Sequence, residues 1–180
     1  MDTYKVKWTQ LQSEIFRLLC IKAGETLNQR TIAKMLRVTP TTIANALPLL
    51  EREGLVSRER YNKMNLHMIK LKRTQKTMQL KRVENLKLMY ETSLADFLED
   101  QHPGTTIILF GSYSRGDDVT TSDIDIAVIG TKEKELNLKI YEKKLERPIS
   151  MHYLANLKEV SKEFRENLCN GIILVGGIEL

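Results

Sequence analysis

The sequence has no long hydrophobic run and only two cysteines. No stretch of its 180 residues approaches the roughly 20 apolar residues that a membrane-spanning helix needs, and its start, MDTYKVKWTQ, lacks the apolar core of a secretory signal. Cys20 and Cys169 lie far apart and fit no metal-binding spacing. We therefore expect a cytoplasmic protein with reduced thiols and no membrane partner.

Charged residues are unevenly distributed along the chain, although the overall composition is that of an ordinary globular protein. Hydrophobic residues make up 42% and charged residues 28%, which excludes wholesale disorder. Residues 1–82 carry 17 lysines and arginines against 6 aspartates and glutamates, whereas residues 83–180 carry 11 against 17. This asymmetry indicates two modules, of which only the first is suited to a polyanion such as double-stranded DNA.

Residues 1–72 have the pattern of a small helical domain that ends in a hairpin. Apolar residues recur at helical spacing over Leu11–Cys20, Asn28 is the expected N-cap of a second helix, and Thr39 before a proline is that of a third. After Gly54, two short strand candidates flank the turn-like YNKMN. Three helices plus a β-hairpin form a winged helix, and LNQRTIAKMLRVTPTTIANALPLLEREGLVSRE resembles the winged helix-turn-helix family of regulators.

That resemblance implies that the third helix is a recognition helix. Three of its exposed side chains would reach base edges, and basic residues in the preceding turn and in the wing would hold phosphates. The first set is Thr41, Thr42 and Asn45, and the second is Arg37, Arg58, Arg60 and Lys63. The alternative is that these are solvated charges on a winged helix that contacts protein.

The second module is expected to span residues 73–180 and to begin with one long connecting helix over 74–101. A His-Pro-Gly sequence stops this helix. Its apolar stripe, with members three and four residues apart, consists of Val83, Leu86, Tyr90, Leu94 and Phe97. The stripe either packs on the following sheet or forms the seam of a homodimer.

Two aspartates stand at the head of an apolar run, DIDIAVIG, that reads as a buried strand. Because side chains alternate along a strand, Asp123 and Asp125 are expected on one face, with Ile124 and Ile126 on the other. Neighbouring carboxylates repel each other, and a divalent cation relieves the repulsion. Mg²⁺ is typically held by one or two carboxylates together with substrate phosphates. The pair therefore predicts a metal site.

A glycine-serine pair follows the preceding strand, TTIILF. Gly111 would let the backbone approach a ligand closely, and Ser112 can donate hydrogen bonds to a phosphate. Arg115 either adds a cationic donor or pairs with Asp117 or Asp118 and fixes the loop.

The whole string GSYSRGDDVTTSDID resembles the signature of the nucleotidyltransferase superfamily that includes DNA polymerase β, particularly its minimal, MNT-like branch. The resemblance implies a mixed sheet with helices packed on it, and hence an α+β fold for the chain. It also implies that Gly111 and Ser112, helped by Arg115, bind an NTP, while Asp123 and Asp125 are catalytic and hold Mg²⁺ or Mn²⁺. A hydroxyl would attack the α-phosphate and release pyrophosphate. Members of this branch often act beside a toxin, so the resemblance also allows a protein as the acceptor or a toxin as the partner.

A third carboxylate, which active members of the superfamily usually supply from a later strand, is missing. The strand expected over residues 147–155, RPISMHYLA, has Ser150 and His152 on one side and no carboxylate on either. His152 is a general base or an ordinary half-buried histidine. Two hypotheses remain: a Mg²⁺-dependent nucleotidyltransferase with a DNA-binding winged helix, or a DNA-binding regulator whose degenerate transferase-like domain at most binds nucleotide.

Overall fold

The structure, a computed structural model, describes residues 7–61, 66–158 and 160–178. Within these ranges, eight helices and two sheets give the α+β fold that the sequence predicted. The chain divides into two compact units, and the division falls between Met78 and Gln79, inside a helix. No helix in the described part of the chain is both long and apolar enough to cross a membrane.

The first unit is a winged helix. Its elements are α1 (Gln10–Ile21), β1 (Leu27–Asn28), α2 (Gln29–Leu36), α3 (Pro40–Arg52), β2 (Val56–Tyr61) and β3 (Leu66–Leu71). The strands β2 and β3 pair as the predicted antiparallel hairpin, and β1, which the sequence pattern did not indicate, adds to the outer side of β3.

Both predicted helix caps of this unit are confirmed. The side chain of Asn28 accepts a hydrogen bond from the Thr31 amide at 2.9 Å, and that of Thr39 accepts one from the Thr42 amide at 3.2 Å. Such caps satisfy amides that have no partner within the helix. The three helices and the hairpin enclose one apolar core, whose fully buried members include Ile15, Phe16, Leu19, Ile32, Ile43, Leu47, Leu50, Leu55 and Ile69.

A glutamate after α3 ties three segments of this unit together. Glu53 lies 2.6 Å from Lys7 and 2.5 Å from Lys76. The hydrogen bonds from Lys7 and Lys76 lower the pKa of Glu53 from 4.5 to about 2. Because the folded pKa is lowered, the contribution of this carboxylate to stability is complete above pH 4.5 and is lost as the pH falls toward 2.

We expect Glu53→Gln to lower the free energy of unfolding near pH 7 and to have a smaller effect as the pH approaches about 3, because the carboxyl group of the unfolded chain, with its ordinary pKa of 4.5, is then protonated and the stabilisation of the folded carboxylate is being lost. Urea unfolding of both proteins at the two pH values measures the difference. The control is Glu59→Gln, which breaks an exposed pair with Lys70 and should change little at either pH. A loss in Glu53→Gln that is the same at both pH values would contradict the prediction.

The second unit is built around a four-stranded sheet. The helix that enters it from the first unit is α4 (Gln75–Glu91), and then come α5 (Leu94–Gln101), β4 (Thr106–Phe110), α6 (Gly111–Arg115), β5 (Ile124–Ile129), α7 (Lys139–Leu145), β6 (Ile149–Leu154), α8 (Lys162–Cys169) and β7 (Ile172–Val175). The strand order is β6-β5-β4-β7, with β5 and β6 parallel and the other pairs antiparallel. The predicted mixed sheet is present, and β7 and β6 form its two edges.

The single helix predicted over residues 74–101 is two helices. Ser93, between α4 and α5, has φ +60°, a left-handed conformation that a right-handed helix cannot contain. The hydroxyl of Thr92 donates to the Leu88 carbonyl at 2.7 Å, a side-chain bond of the kind that competes with helical backbone bonding. The periodic apolar pattern continues across this break, which is why the pattern alone does not reveal it.

Two members of the predicted apolar stripe lie on the exposed side of α4. Val83 is 60% exposed and Tyr90 is 47% exposed, so packing on the sheet, the first of the two alternatives, is wrong for these two residues. The buried face of the helix instead includes the polar residues Lys81 and Asn85, which reach a buried aspartate, Asp118. The homodimer seam stays a prediction.

Both faces of the sheet are apolar where they are covered. The helix α8 packs Leu168 and Phe164 against Ile108, Phe110 and Ala127. On the opposite face, the alternate residues are fully buried: Ile107, Leu109, Ile126 and Val128. Asp125 belongs to the face that α8 covers, because it is the register partner of Phe110.

Candidate nucleotide and metal site

The glycine-serine turn and the second aspartate of the motif lie against each other. Phe110, the last residue of β4, pairs with Asp125 of β5, so the next residue, Gly111, passes beside the Asp125 carboxylate. Gly111 has φ +71°, and a Cβ added to it would overlap Oδ2 of Asp125 and lie 3.1 Å from its Cγ. Glycine is therefore required here for its backbone conformation and for the space it leaves.

Hydrogen bonds hold the turn after Gly111 in place. The Ser114 hydroxyl donates to the Gly111 carbonyl at 2.9 Å, and the amide of Asp117 donates to the Ser112 carbonyl at 3.2 Å. Ser112 is half-buried, and its hydroxyl has no hydrogen-bond partner among the described residues. This hydroxyl can therefore donate to a phosphate without first breaking another bond.

The two aspartates differ in their surroundings. Asp125 is half-buried on β5, whereas Asp123 is exposed and stands one residue before the strand, which begins at Ile124. The turn before Asp123 is closed by Ser122, whose hydroxyl accepts from the Val119 amide at 3.0 Å. That both carboxylates project from one face of the strand stays a prediction, because Asp123 lies outside it.

Both carboxylates are available to a cation. Within residues 7–61, 66–158 and 160–178, neither Asp123 nor Asp125 forms an ion pair with a lysine or arginine. The same residues contain no group of three or more histidine, cysteine, aspartate or glutamate side chains arranged for a metal. Two carboxylates fit a Mg²⁺ or Mn²⁺ ion that takes its remaining ligands from substrate phosphates and water.

Arg115 takes the second of its two predicted roles. Its Nε lies 3.5 Å from Oδ2 of Asp117, and its Nη1 donates to Oδ1 of Asn167 on α8 at 3.4 Å. The side chain is 48% exposed. These contacts steady the loop after α6, and contact of Arg115 with a nucleotide stays a prediction.

A buried polar network behind the turn escaped sequence reasoning. Asp118 is 2% exposed and accepts from Lys81 and from Asn85, the latter at 2.8 Å, while Nη2 of Arg147 lies 3.5 Å away. Asn85 also donates to the Tyr113 carbonyl in α6 at 2.8 Å. The network therefore joins α4 to the turn that carries Ser112. Its only sequence signal was the four-residue spacing of a lysine and an asparagine on a helix.

The strand β6 has no carboxylate, as the sequence predicted. Ser150 is the register partner of Asp125, and His152 lies two residues further on the same face of the sheet. Glu146, the nearest preceding carboxylate, lies before the strand and caps α7 with φ +52°. The position beside Asp125 is therefore taken by a hydroxyl and an imidazole.

The predicted base-reading residues of the winged helix are on the surface. Thr41, Thr42 and Asn45 are all exposed on α3, close to its N-terminus. The hydroxyl of Thr42 lies 2.8 Å from that of Thr39, so the N-cap occupies part of its hydrogen-bonding capacity.

The predicted phosphate-binding residues are less uniform. Arg37 is exposed at the end of α2 with φ +56°, and Arg60 is exposed on β2. Arg58 pairs with Glu51 at 3.2 Å, so a phosphate would have to compete with this carboxylate. Lys63 lies outside the described residues.

A cavity of about 960 Å³ lies at the opposite end of the sheet from Asp125. It is lined in part by Thr106, Ile129 and Val175, which stand where β4 begins and where β5 and β7 end. None of the predicted site residues lines it.

The fold and the site together define a two-module protein, with a winged helix followed by a sheet that carries the Gly-Ser and Asp-x-Asp elements. The family model of the nucleotidyltransferase domain matches residues 92–177, and that of the MarR family matches residues 12–63. The chain therefore contains a MarR-type winged-helix domain and a nucleotidyltransferase domain. A comparison with curated protein sequences gave no significant match.

Several solved structures similar to the chain are of one zinc-responsive MarR family member. Zinc-responsive ZitR of Lactococcus lactis is 22% identical with a TM-score of 0.42, and the match covers 58% of this chain and 69% of ZitR. In another ZitR structure, the match covers 66% of the ZitR chain, which is just under two thirds of its length. The S. aureus MepR–DNA complex is 26% identical with a TM-score of 0.39, covering 52% of this chain and 68% of MepR. The PcaV transcriptional regulator of Streptomyces coelicolor is 20% identical with a TM-score of 0.35, covering 52% of this chain and 71% of PcaV.

Proposed function

We propose that this chain is a metal-dependent nucleotidyltransferase that its winged helix directs to double-stranded DNA. The contact between Gly111 and Asp125 carries the proposal, because it places a carboxylate beside the backbone turn that would hold a triphosphate. A lone glycine-serine pair or a lone Asp-x-Asp is common. Their convergence at a glycine where an added Cβ would overlap the Asp125 carboxylate is not.

In this proposal the nucleotide lies over the turn at Gly111 and Ser112. The Ser112 hydroxyl donates to a phosphate, while the carboxylates of Asp123 and Asp125 hold Mg²⁺ or Mn²⁺. A metal held there would supply charge stabilisation to the transfer. An acceptor hydroxyl forms a bond to the α-phosphorus as the bond to the β-phosphate oxygen breaks. Pyrophosphate leaves, and the hydroxyl proton passes to solvent or to a base.

DNA recognition is proposed for the first unit on the basis of its charge and its exposed residues. The surplus of basic side chains in residues 1–82 attracts phosphates, and Thr41 and Asn45 are exposed at the start of α3. Threonine and asparagine side chains can hydrogen-bond to base edges in the major groove.

A second function is favoured by β6. Ser150 and His152 stand where a third carboxylate would complete the site, and general-base catalysis typically contributes about 10²–10⁴-fold to a rate. The second candidate is therefore a DNA-binding regulator whose nucleotidyltransferase domain binds nucleotide without transferring it.

One experiment separates the two functions. The full chain is incubated with Mg²⁺ or Mn²⁺ and α-labelled NTPs, with duplex DNA or protein as acceptor, and compared with Asp125→Asn. Transfer of label that is lost in this variant, and kept in the control Asp96→Asn on the exposed side of α5, supports the enzyme. Metal-dependent nucleotide binding without transfer supports the regulator. Absence of nucleotide binding under every metal condition overturns both.

The DNA part is tested in the same preparation by fluorescence anisotropy with a set of labelled duplexes of different sequence. Affinity should fall steeply as salt increases, because phosphate contacts release counterions. Asn45→Ala should reduce sequence preference more than it reduces overall affinity, and Arg37→Ala should do the reverse.

A further inference from the structure

The face of β6 beside Asp125 brings three polar atoms together. Nε2 of His152 lies 3.5 Å from Oδ1 of Asp125 and 3.3 Å from the hydroxyl oxygen of Ser150. The side chains of His152 and Asp125 are 35% and 30% exposed, so both are partly shielded and both can still be reached from solvent.

Aromatic rings fix the orientation of the imidazole. The His152 ring lies 5.1 Å from that of Phe110 in an edge-on arrangement and 5.9 Å from that of Phe164. Phe110 is also the residue that precedes Gly111 and pairs with Asp125. The packing that positions the turn therefore also positions Nε2 of His152.

The separation of 3.5 Å between Nε2 of His152 and Oδ1 of Asp125 bears on whether the two atoms bind one ion or each other. It exceeds the about 2.7–3.2 Å of a good N–H···O hydrogen bond. Two ligands that are each about 2.1 Å from one ion lie roughly 3.0 Å apart at octahedral angles and roughly 3.4 Å apart at tetrahedral angles. The pair therefore has the spacing of two ligands of one cation.

We propose that His152 and Asp125 bind the same divalent ion, with the imidazole in the place of the missing carboxylate, and that the site consequently prefers a first-row transition metal to Mg²⁺. Imidazole binds such metals well, whereas Mg²⁺ prefers oxygen ligands. This inference rests on the proposed nucleotide site and adds the class of metal to it. Phosphate oxygens of a nucleotide and water would supply the further ligands.

The test uses the full chain without a histidine tag, with Co²⁺ as the probe because its visible absorption changes when an imidazole binds. Co²⁺ and Mg²⁺ affinities are measured by calorimetry for the wild type and for His152→Gln, which keeps a polar side chain of similar size. Loss of a side chain that only hydrogen-bonds to a metal ligand costs about 10–100-fold in metal affinity. Loss of the ligand itself should therefore weaken Co²⁺ binding by at least about 10-fold. Mg²⁺ affinity should stay within about twofold.

Two further variants decide between ligation and packing. His152→Asp should weaken Co²⁺ binding and strengthen Mg²⁺ binding, because it restores a carboxylate. His67→Ala removes an imidazole from β3 of the first unit and should change neither affinity. Equal weakening of both metals in His152→Gln would show that the histidine acts through packing, and it would overturn the inference.

Failure of the inference and failure of the proposed function give different results. If Asp125→Asn abolishes Mg²⁺-dependent nucleotide binding while His152→Gln leaves the Co²⁺ affinity unchanged, the nucleotide site stands and the role of His152 is wrong. If the wild type binds no divalent ion and no nucleotide, both are wrong.

Discussion

Replacing Gly111 with alanine is expected to weaken metal-dependent nucleotide binding by about 100-fold. The added Cβ would overlap Oδ2 of Asp125, so the carboxylate or the turn must move. A displacement of about 1 Å can cost a catalysed reaction about 100-fold in rate, and we take the same factor as the scale for binding at the displaced site. Nucleotide affinity by calorimetry in the presence of Mn²⁺ gives the measurement for either of the two proposed functions.

The control for Gly111→Ala is Gly104→Ala. Gly104 has nearly the same backbone conformation, with φ +75° against +71°, but a Cβ added there meets nothing within 4 Å. Both variants should lose about 1–2 kcal/mol of stability from the left-handed conformation, and only Gly111→Ala should lose nucleotide binding. Normal binding by Gly111→Ala would show that the contact with Asp125 does not matter for the ligand.

Replacing Lys81 with methionine is expected to lower the free energy of unfolding by about 3–5 kcal/mol. Lys81 is 2% exposed and donates to Asp118, which is equally buried, and removal of one partner of a buried ion pair leaves a charge without its compensation. Arg147 and Asn85 still contact Asp118, which places the effect nearer the lower end of this range. Urea unfolding of the full chain measures it.

The same helix offers a matched control. Lys87 pairs with Glu91 at 3.4 Å, but its side chain is 55% exposed, so Lys87→Met should cost no more than about 1 kcal/mol. Equal losses of unfolding free energy in Lys81→Met and Lys87→Met would mean that burial of the Lys81–Asp118 pair does not increase the cost of breaking it. A loss confined to Lys81→Met, with weaker nucleotide binding, would connect the network to the turn at Ser112.

Local signals were sufficient to predict much of the fold. Asn28 and Thr39 cap the helices that follow them, because a side chain that satisfies helical amides acts within four residues. The central strands of the second unit were likewise predictable, since TTIILF and DIDIAVIG are short apolar runs typical of buried strands, whereas the mixed sheet was implied by the family resemblance. β1 was not, because a strand of two residues carries no period and exists only through its pairing with β3.

For the candidate site, the sequence singled out the residues of the proposed chemistry but not all of their contacts. Gly111 lies against the Asp125 carboxylate, while Arg115 pairs with Asp117, an option that the sequence left open. The absence of a carboxylate from β6 was visible in the sequence. That His152 lies at ligand spacing from Asp125 was not, because it depends on the register of two strands 20 residues and more apart.

By itself, the sequence determined the two modules, their opposite charge balance and the string of glycine, serine and aspartate residues that marks the second. Composition and short-range order are enough for these, since each depends on neighbours along the chain. Tertiary structure alone decided that Lys81, Asn85 and Arg147 surround Asp118, that the helix over 74–101 breaks at Ser93, and that Val83 and Tyr90 are exposed. The physical reason is that a charge can be buried only where side chains from distant segments of the chain pair with it. No local sequence pattern specifies which distant residues will form those pairs.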